Sequence, residues 1–405
     1  MNMIISIDEA CRILKDCYVD PVTEEKSISE VYNRVLAQDV SARMSVPPFD
    51  KSAFDGYALR AEDTVKAGRE TPIELKIVGE IPAGKTMIGA VPEGCAVKIL
   101  TGAMIPEGAD AVIRFEDVEA SDTVLRLYAP VLTGNIIGCG EDVEAGNQIA
   151  VKGTVIDGAV QAMLASQGME NVQVHKIPQI GIISTGSELC RPGEKLAPGK
   201  IYSSSMYLLG GYMQRIGAET LDCGIVEDDP EKLKWKIREC LKHCDMLVLT
   251  GGASVGDYDY SKPAVRALGG EFLFEKICFK PGGTMFAATV DGKMVLGLSG
   301  NPGAAAVGLL LIGTIYVKRL CGRCDLEWES IQARLKYPLK KRSVITRILR
   351  GRIEYSDDKI WFCENRCNGN GSVYSLMECN LLGIIPEGSD ELPEGTVIEA
   401  KRIFI

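Results

Sequence analysis

Met246-Leu-Val-Leu-Thr-Gly-Gly-Ala-Ser-Val-Gly256 sets four consecutive apolar residues ahead of a glycine-rich turn. A short apolar run bounded in this way reads as a strand buried on both faces, and such strands belong to parallel sheets covered by helices. The same grammar recurs on either side. Ile180-Gly-Ile-Ile-Ser-Thr-Gly186 is an apolar strand running into a turn, and Met294 to Leu298 is another, ending in Ser299-Gly-Asn-Pro-Gly303. Between them Asp229-Pro230-Glu231 starts a helix, with Asp229 as cap and Pro230 at the first helical position. Leu233, Ile237, Cys240, Leu241 and Cys244 then share one helical face. Asn301 and Pro302 open an apolar helix over Gly303 to Val317 in the same manner. Strand, glycine loop and helix in alternation from Ile180 to Leu320 predict an α/β domain on a parallel sheet. Ligands are expected at the carboxyl ends of its strands, where all these glycine loops fall.

Outside that span the pattern changes. Residues 1–40 read as helical, with Ala10, Ile13 and Leu14 on one face and Val31, Val35 and Leu36 repeating the spacing; Ser41 to Ala58 breaks it. From Pro72 to about Gly146, short β-branched runs (Ile73–Val78, Ala96–Leu100, Ala109–Phe115, Thr123–Leu127) alternate with Gly and Pro. Past Cys324 the helical signal vanishes. Ile331–Leu335, Val344–Ile353 and Ile360–Phe362, with a turn at Ser356-Asp-Asp-Lys359, predict a small C-terminal β-barrel-like domain. The tetrads Val91–Gly94, Ile105–Gly108, Ile385–Gly388 and Leu392–Gly395 read as turn chemistry: proline fixes φ and glycine supplies the permissive position. The fold class is thus multidomain α/β plus β. The expected division is 1–45 with 144–176 as a helical or mixed N-terminal domain, 46–143 as a β-rich domain, 177–324 as the α/β domain and 325–405 as the C-terminal domain.

Composition narrows the function classes. With 405 residues, 46% hydrophobic and 25% charged, the chain is globular and too long for one core. Its 55 acidic against 45 basic residues give a formal charge of −10, which disfavours nucleic acid or an anionic membrane as partner. Met1 to Ala10 lacks a charged, apolar and small-residue succession, so an intracellular, cytoplasmic protein is expected. The 14 cysteines are scattered, and Cys240, Cys244 and Cys278 sit in apolar patterns, which fits a reducing compartment with mostly buried thiols. Cys321/Cys324 and Cys363/Cys367 have the spacing of zinc ligands, yet nothing pre-organises the two pairs, and unligated thiols are expected. His175 and His243 are the only histidines, which disfavours a His-rich metal centre or a histidine-activated nucleophile; both are expected at helix ends or on the surface. The Gly303–Val317 run is shorter than the about 20 residues a membrane crossing needs, so a buried helix is expected.

Thr250 to Gly256 offers closely spaced backbone N–H donors, as a phosphate requires, although glycine turns also end strands for steric reasons. Three such loops in one sheet favour the phosphate reading. Around them stand Asp55, in Pro47-Pro-Phe-Asp-Lys-Ser-Ala-Phe-Asp-Gly-Tyr57, then Asp142, Glu188, Asp228 and Asp259. Phosphate and carboxylate repel, so acids beside an anion site make sense with a divalent cation such as Mg²⁺ between them. Lys262, Lys276 and Lys280 supply direct countercharge. Taken singly each acid reads as a helix cap or solvated turn; the set points to a site.

In order along the chain stand Pro47–Ala58, Thr101-Gly-Ala-Met-Ile-Pro-Glu-Gly-Ala-Asp-Ala-Val112, Gly140-Glu-Asp142 and Ser184-Thr-Gly-Ser-Glu-Leu189. Thr250–Gly256 with Asp259-Tyr-Ser-Lys262, Lys280-Pro-Gly282 and Gly300-Asn-Pro302 follow. This ordered set closely resembles the molybdopterin molybdotransferases, the metal-insertion enzymes of molybdenum-cofactor biosynthesis, over nearly the whole chain. The resemblance implies that adenylylated molybdopterin plus molybdate gives molybdenum cofactor plus AMP, with Mg²⁺ assisting. The pterin's dithiolene takes the metal, so the task is positioning and charge neutralisation more than nucleophilic attack by the protein. By the resemblance, Glu188, Asp228 and Asp259 are the acids of the sheet domain and the metal ligands, with Lys276 and Lys280 as basic partners. Thr250, Gly251, Gly252, Ser254 and Gly256 form the pterin-phosphate loop, with Ser184, Lys262, Pro281, Gly282 and Asn301 around it. Asp55 and Asp142 are acids from the β-rich side, and Thr101 and Ser372 polar neighbours.

Family members are homodimers whose cleft joins the sheet domain of one subunit to the β-rich domain of the other, so the acids are expected to meet only in a homodimer. Other cofactor-biosynthesis proteins are candidate partners. The chain departs from the usual pattern at Lys51 (Asn), Phe54 (Met), Ile137 (a nearby Arg), Ser299 (Pro) and Gly303-Ala304 (Val-Ser). Loss of an arginine near the acid loop removes a fixed cation, and tungstate has the same charge and shape as molybdate. Two rival readings are a molybdopterin adenylyltransferase, which the sheet domain alone resembles, and a non-catalytic scaffold, as in gephyrin, whose corresponding portion anchors a receptor.

Overall fold

The computed structural model describes residues 4–251, 260–356 and 358–404. The chain forms two compact units, one of Met1–Gln38, Lys152–Ile156 and Val172–Ile405, the other of Asp39–Val151 and Asp157–Asn171.

The first unit opens with helix α1 (Ile7–Asp16). The Ser6 hydroxyl accepts the Glu9 amide at 3.1 Å, Asp8 and Glu9 complement the positive end of the helix, and Ala10 and Leu14 are buried. The helical reading does not extend beyond it. Thr23–Ser27 is a strand beside Asn171–His175, followed by the 3₁₀ turn Ile28–Glu30. Val31, Val35 and Leu36 are buried, but through bridges from Val35 to Val155 and from Leu36 to Val174. Their amides are satisfied across the chain, as in Leu36 N–H to the Thr154 carbonyl at 2.9 Å. Three buried positions at helical spacing do not reveal that distant backbone, rather than a local turn, supplies the acceptors.

His175 is buried at the end of its strand, contrary to the surface or helix-end expectation, with its ring in the space a side chain on Gly322 would take. His243 lies exposed just past a helix end, as expected. Neither ring nitrogen of His175 has a hydrogen-bond partner among the described residues. Burial first, and then the nearby Lys152, push its imidazole below the ordinary value of 6.5. Above that value folded and unfolded chains are both neutral. As pH falls through it, the unfolded chain takes up a proton that the folded site resists, so stability falls until the folded value is reached. Denaturant titrations at about pH 7 and about pH 5 are expected to show this loss, and a smaller one in His175→Gln.

In the second unit a six-stranded sheet runs Ala111–Arg114, Gly56–Leu59, Cys95–Ile99, Ile73–Ile81, Val124–Leu127, Glu119–Ala120. Side chains alternate between two apolar clusters: Tyr57 and Leu59 meet Leu75, Leu125 and Leu127, whereas Ala58 meets Val97, Ile99 and Val112. Helix α2 (Gly158–Ser166) is capped by Asp157, which accepts the Val160 amide at 2.8 Å. The Pro-Glu-Gly tetrads are turns, with Gly94, Gly108, Gly388 and Gly395 at φ of 69°, 84°, 80° and 81°.

Returning to the first unit, the chain builds a six-stranded sheet in the order Glu219–Val226, Gln179–Thr185, Met246–Thr250, Lys293–Leu298, Phe286–Val290, Glu271–Phe274. The first four strands are parallel, and Phe286–Val290 alone runs against them and against Glu271–Phe274, so the sheet is mixed rather than wholly parallel. Helices α3 (Ser205–Ile216) and α4 (Pro230–Leu241) belong to the apolar clusters on its two faces. Ile182, Val248 and Leu296 pack with Leu209 and Met213 of α3; Ile183, Leu247 and Val295 pack with Leu233 and Ile237 of α4. The α4 cap is as expected, with Asp229 accepting the amides of Glu231 and Lys232. Helix α5 (Ser261–Ala267) follows the third strand. Pro302–Leu320 is long and apolar enough to cross a bilayer, but 89% of its apolar window is buried within the fold, and it holds a π turn at Leu309–Gly313.

The C-terminal strands close on themselves. Thr346–Ser356, Lys359–Glu364, Glu329–Leu335, Val397–Arg402 and Leu381–Ile385 pair in succession, and the last returns to the first, giving a five-stranded barrel around Leu335, Phe362, Leu381 and Ile398. Phe279–Lys280 is added at its side by pairing with Thr346 and Arg347.

All fourteen cysteines are free, but only five are buried, and Cys278 is exposed, contrary to the buried-thiol expectation. Among the described residues no three or more His, Cys, Asp or Glu side chains come together as a metal site.

Candidate functional site

The carboxyl ends of the parallel strands open onto a cleft of about 900 Å³ within the first unit. After Thr185 the chain turns at Gly186, φ +147°, and the Glu188 carboxylate folds back over it; a Cβ there would lie 2.6 Å from Glu188 Oε2. Ser187 then fastens this loop to its neighbour. Its amide donates to Asp228 Oδ2 at 3.0 Å, while the Asp228 amide donates to Ser187 Oγ at 3.1 Å. The Lys200 amine donates to the Ser187 carbonyl. Reciprocal bonds between loops of adjacent strands bring both acids to the cleft.

Behind them runs a set of buried hydroxyls. Ser184 Oγ lies 3.3 Å from Ser203 Oγ and 3.4 Å from Thr250 Oγ1, and Thr185 Oγ1 donates to the Thr250 carbonyl at 3.1 Å. Gly251, φ +92°, follows Thr250, and any Cβ there would collide with the Thr185 carbonyl. Its own carbonyl accepts from Ser261 Oγ at 3.1 Å, which ties the start of α5 to the strand end.

Lys276 and Lys280 complete the polar wall, on short strands held by Ile4–Ile5 and by the barrel. Pro281, Gly282 and Asn301 line the same cleft; Asn301 precedes Pro302 as expected, but its side chain makes no capping bond. Asn370 reaches it from the barrel. Its loop is organised by the buried Arg350, which donates to Asn368 Oδ1 at 3.1 Å, the Gly369 carbonyl at 3.0 Å and the Ser372 carbonyl at 3.3 Å. Gly303, lacking a side chain, leaves room for that guanidinium.

The sequence-based set divides accordingly. Glu188, Asp228, Lys276, Lys280, Thr250, Gly251, Pro281, Gly282 and Asn301 share the cleft, with Ser184 just behind. Lys262 and Ser372 do not line it: Lys262 lies in α5, and Ser372 Oγ accepts the Ser375 amide at 3.2 Å. Gly252, Ser254, Gly256 and Asp259 lie outside the described residues. Asp55, Thr101 and Asp142 belong to the second unit. There Asp55 Oδ1 accepts the Thr101 amide at 2.7 Å and its hydroxyl at 2.8 Å, and these two bonds hold its carboxyl below the usual range. Sequence reasoning missed Thr185, Tyr202, Thr284, Asn370 and the triplet Ser203, Ser204, Ser205. The triplet carried a signal, since consecutive serines ahead of an apolar helical run mark a helix start.

Residues 5–168 match the family model described as the MoeA N-terminal region (domain I and II), and residues 181–319 match a probable molybdopterin binding domain. A Staphylococcus aureus protein named molybdopterin molybdenumtransferase is 34% identical over 93% of this chain and 90% of its own length. The chain belongs to the MoeA family of molybdopterin molybdenumtransferases. A Bacillus subtilis relative of the same name is 33% identical, covering 98% of this chain and 94% of its own. A crystal structure of a MoeA protein from Pyrococcus horikoshii OT3 superposes with a TM-score of 0.82 at 30% identity, over 98% of this chain and all of that one. Like the MoeA relatives, the protein is a transferase of molybdenum-cofactor biosynthesis. The molybdopterin-binding match contains the strands, Glu188, Asp228, Lys276, Lys280 and Asn301, so the cleft coincides with the part of MoeA that carries that description.

Proposed function

We propose that the cleft takes adenylylated molybdopterin and molybdate, transfers molybdenum to the dithiolene and releases AMP. The observation that carries this reading is the convergence of two acids and two lysines, Glu188, Asp228, Lys276 and Lys280, on loops at the ends of parallel strands. The lysines neutralise the charge of the phosphate and the incoming oxyanion, and the glycine turns allow close approach of backbone amides. Mg²⁺ fits the donors present: it prefers oxygen ligands and is held by one or two carboxylates plus substrate phosphate, here Glu188 and Asp228 with Asp259 as third candidate. When bound it supplies charge neutralisation at the phosphoanhydride.

A cytoplasmic homodimer follows the same reading, with Asp55, Thr101 and Asp142 of the second unit contributing to the partner's cleft. So does the four-part division at 45, 143, 176 and 324, supported by the pairing of Val40–Ser41 with Gln148–Ala150 inside the second unit. The test incubates the purified protein with adenylylated molybdopterin, Mg²⁺ and either molybdate or tungstate, and measures AMP. AMP release that requires both oxyanion and Mg²⁺ is expected; ATP-dependent adenylylation of molybdopterin instead would reverse the reading.

A further inference from the structure

Helix α3 presents its N-terminus to the cleft, where Ser203, Ser204 and Ser205 are part of the lining. The first amides of a helix have no partner within it and are commonly satisfied by a capping side chain. Here Ser204 stands at the cap position in a helical conformation, φ −107° and ψ −22°, and makes no capping bond; the first turn contains no acid. Ser205 provides an independent observation. It is only 6% exposed, it borders the cleft, and its hydroxyl bonds to no other described residue, whereas neighbouring Ser203 is engaged with Ser184. Ser205 is buried but its oxygen is open at the cleft, so the hydroxyl is free to bond to a molecule held there. Uncapped amides, two hydroxyls and the positive end of a twelve-residue helix together select an anion with several acceptor atoms.

We propose that the first turn of α3, through its amides and the hydroxyls of Ser204 and Ser205, binds a tetrahedral oxyanion. This rests on the reading of the cleft given above and adds a location within it. Two substrate groups share the chemistry, the phosphate of the nucleotide and the molybdate.

Molybdate alone and AMP alone are titrated calorimetrically into the full-length wild type, Ser204→Asp and Ser205→Ala. Aspartate caps a helix at least as well as serine and favours its N-terminus, so Ser204→Asp keeps or raises the melting midpoint while placing negative charge where the oxyanion sits. Ser204→Asp is expected to weaken at least one probe by about tenfold or more, and Ser205→Ala to weaken the same probe by about threefold or more. Weakened molybdate assigns the turn to the metal oxyanion, weakened AMP to the phosphate. Wild-type affinity for both probes in both variants overturns the inference alone. A wild type that binds neither probe overturns it together with the reading of the cleft.

Discussion

Asp228→Asn is expected to slow AMP release by about a hundredfold or more while leaving the fold intact. Asparagine has the same shape and keeps an oxygen for the Ser187 amide, which Asp228 Oδ2 now accepts at 3.0 Å, so the fastening of the two loops survives. What is lost is one of two negative charges facing two lysines. A cleft with one acid neutralises a cation less well, so half-maximal activity should require more Mg²⁺ than in the wild type. Rates measured against Mg²⁺ concentration, with a melting curve as control for folding, decide the matter. Wild-type rate and Mg²⁺ dependence in the variant would reduce Asp228 to a loop fastener.

Gly251→Ala should damage fold and activity together. A residue with a side chain at φ +92° costs about 1–2 kcal/mol in backbone energy, and the new Cβ meets the carbonyl and hydroxyl of Thr185. Both groups are nearly immobile: Thr185 ends one strand, Thr250 its neighbour, and Ser184 pairs with Thr250 in register. Relief therefore requires the strand ends to part, and these ends carry the turn to Glu188 on one side and α5 on the other. A lowered denaturant midpoint, worth at least about 2 kcal/mol, with a loss of AMP release of about tenfold or more, is the expected outcome. Equal stability of variant and wild type would show that the turn adapts.

Much of the sheet was legible because its central strands are apolar on both faces. Met246–Thr250 and Lys293–Leu298 announce themselves as runs closed by glycine, and Asp229-Pro230 marks α4. Strand direction was not legible: Phe286–Val290 is as apolar as its neighbours but runs against both of them. Residues 17–40 misled because Val35 and Leu36 are bridged to partners more than a hundred residues away. The same limit applies to the site. Glu188, Asp228, Lys276 and Lys280 stand on loops whose chemistry is written locally. Arg350, in contrast, is fully buried beside Gly303 and organises the loop of Asn370, and no local pattern distinguishes it from the other arginines of its strand. Lys262 and Ser372 illustrate the converse, since residues near a motif in sequence need not face the space the motif encloses.

Strand Ile4–Ile5 pairs with Lys276–Ile277, and α1 packs on the Pro302–Leu320 helix. Ile4 and Ile5 thus find their seats late, since their partners are translated some 270 residues after them. Until that moment the segment bearing Lys276 lacks its edge, so this two-residue strand serves as a closing keystone for one wall of a cleft it does not line.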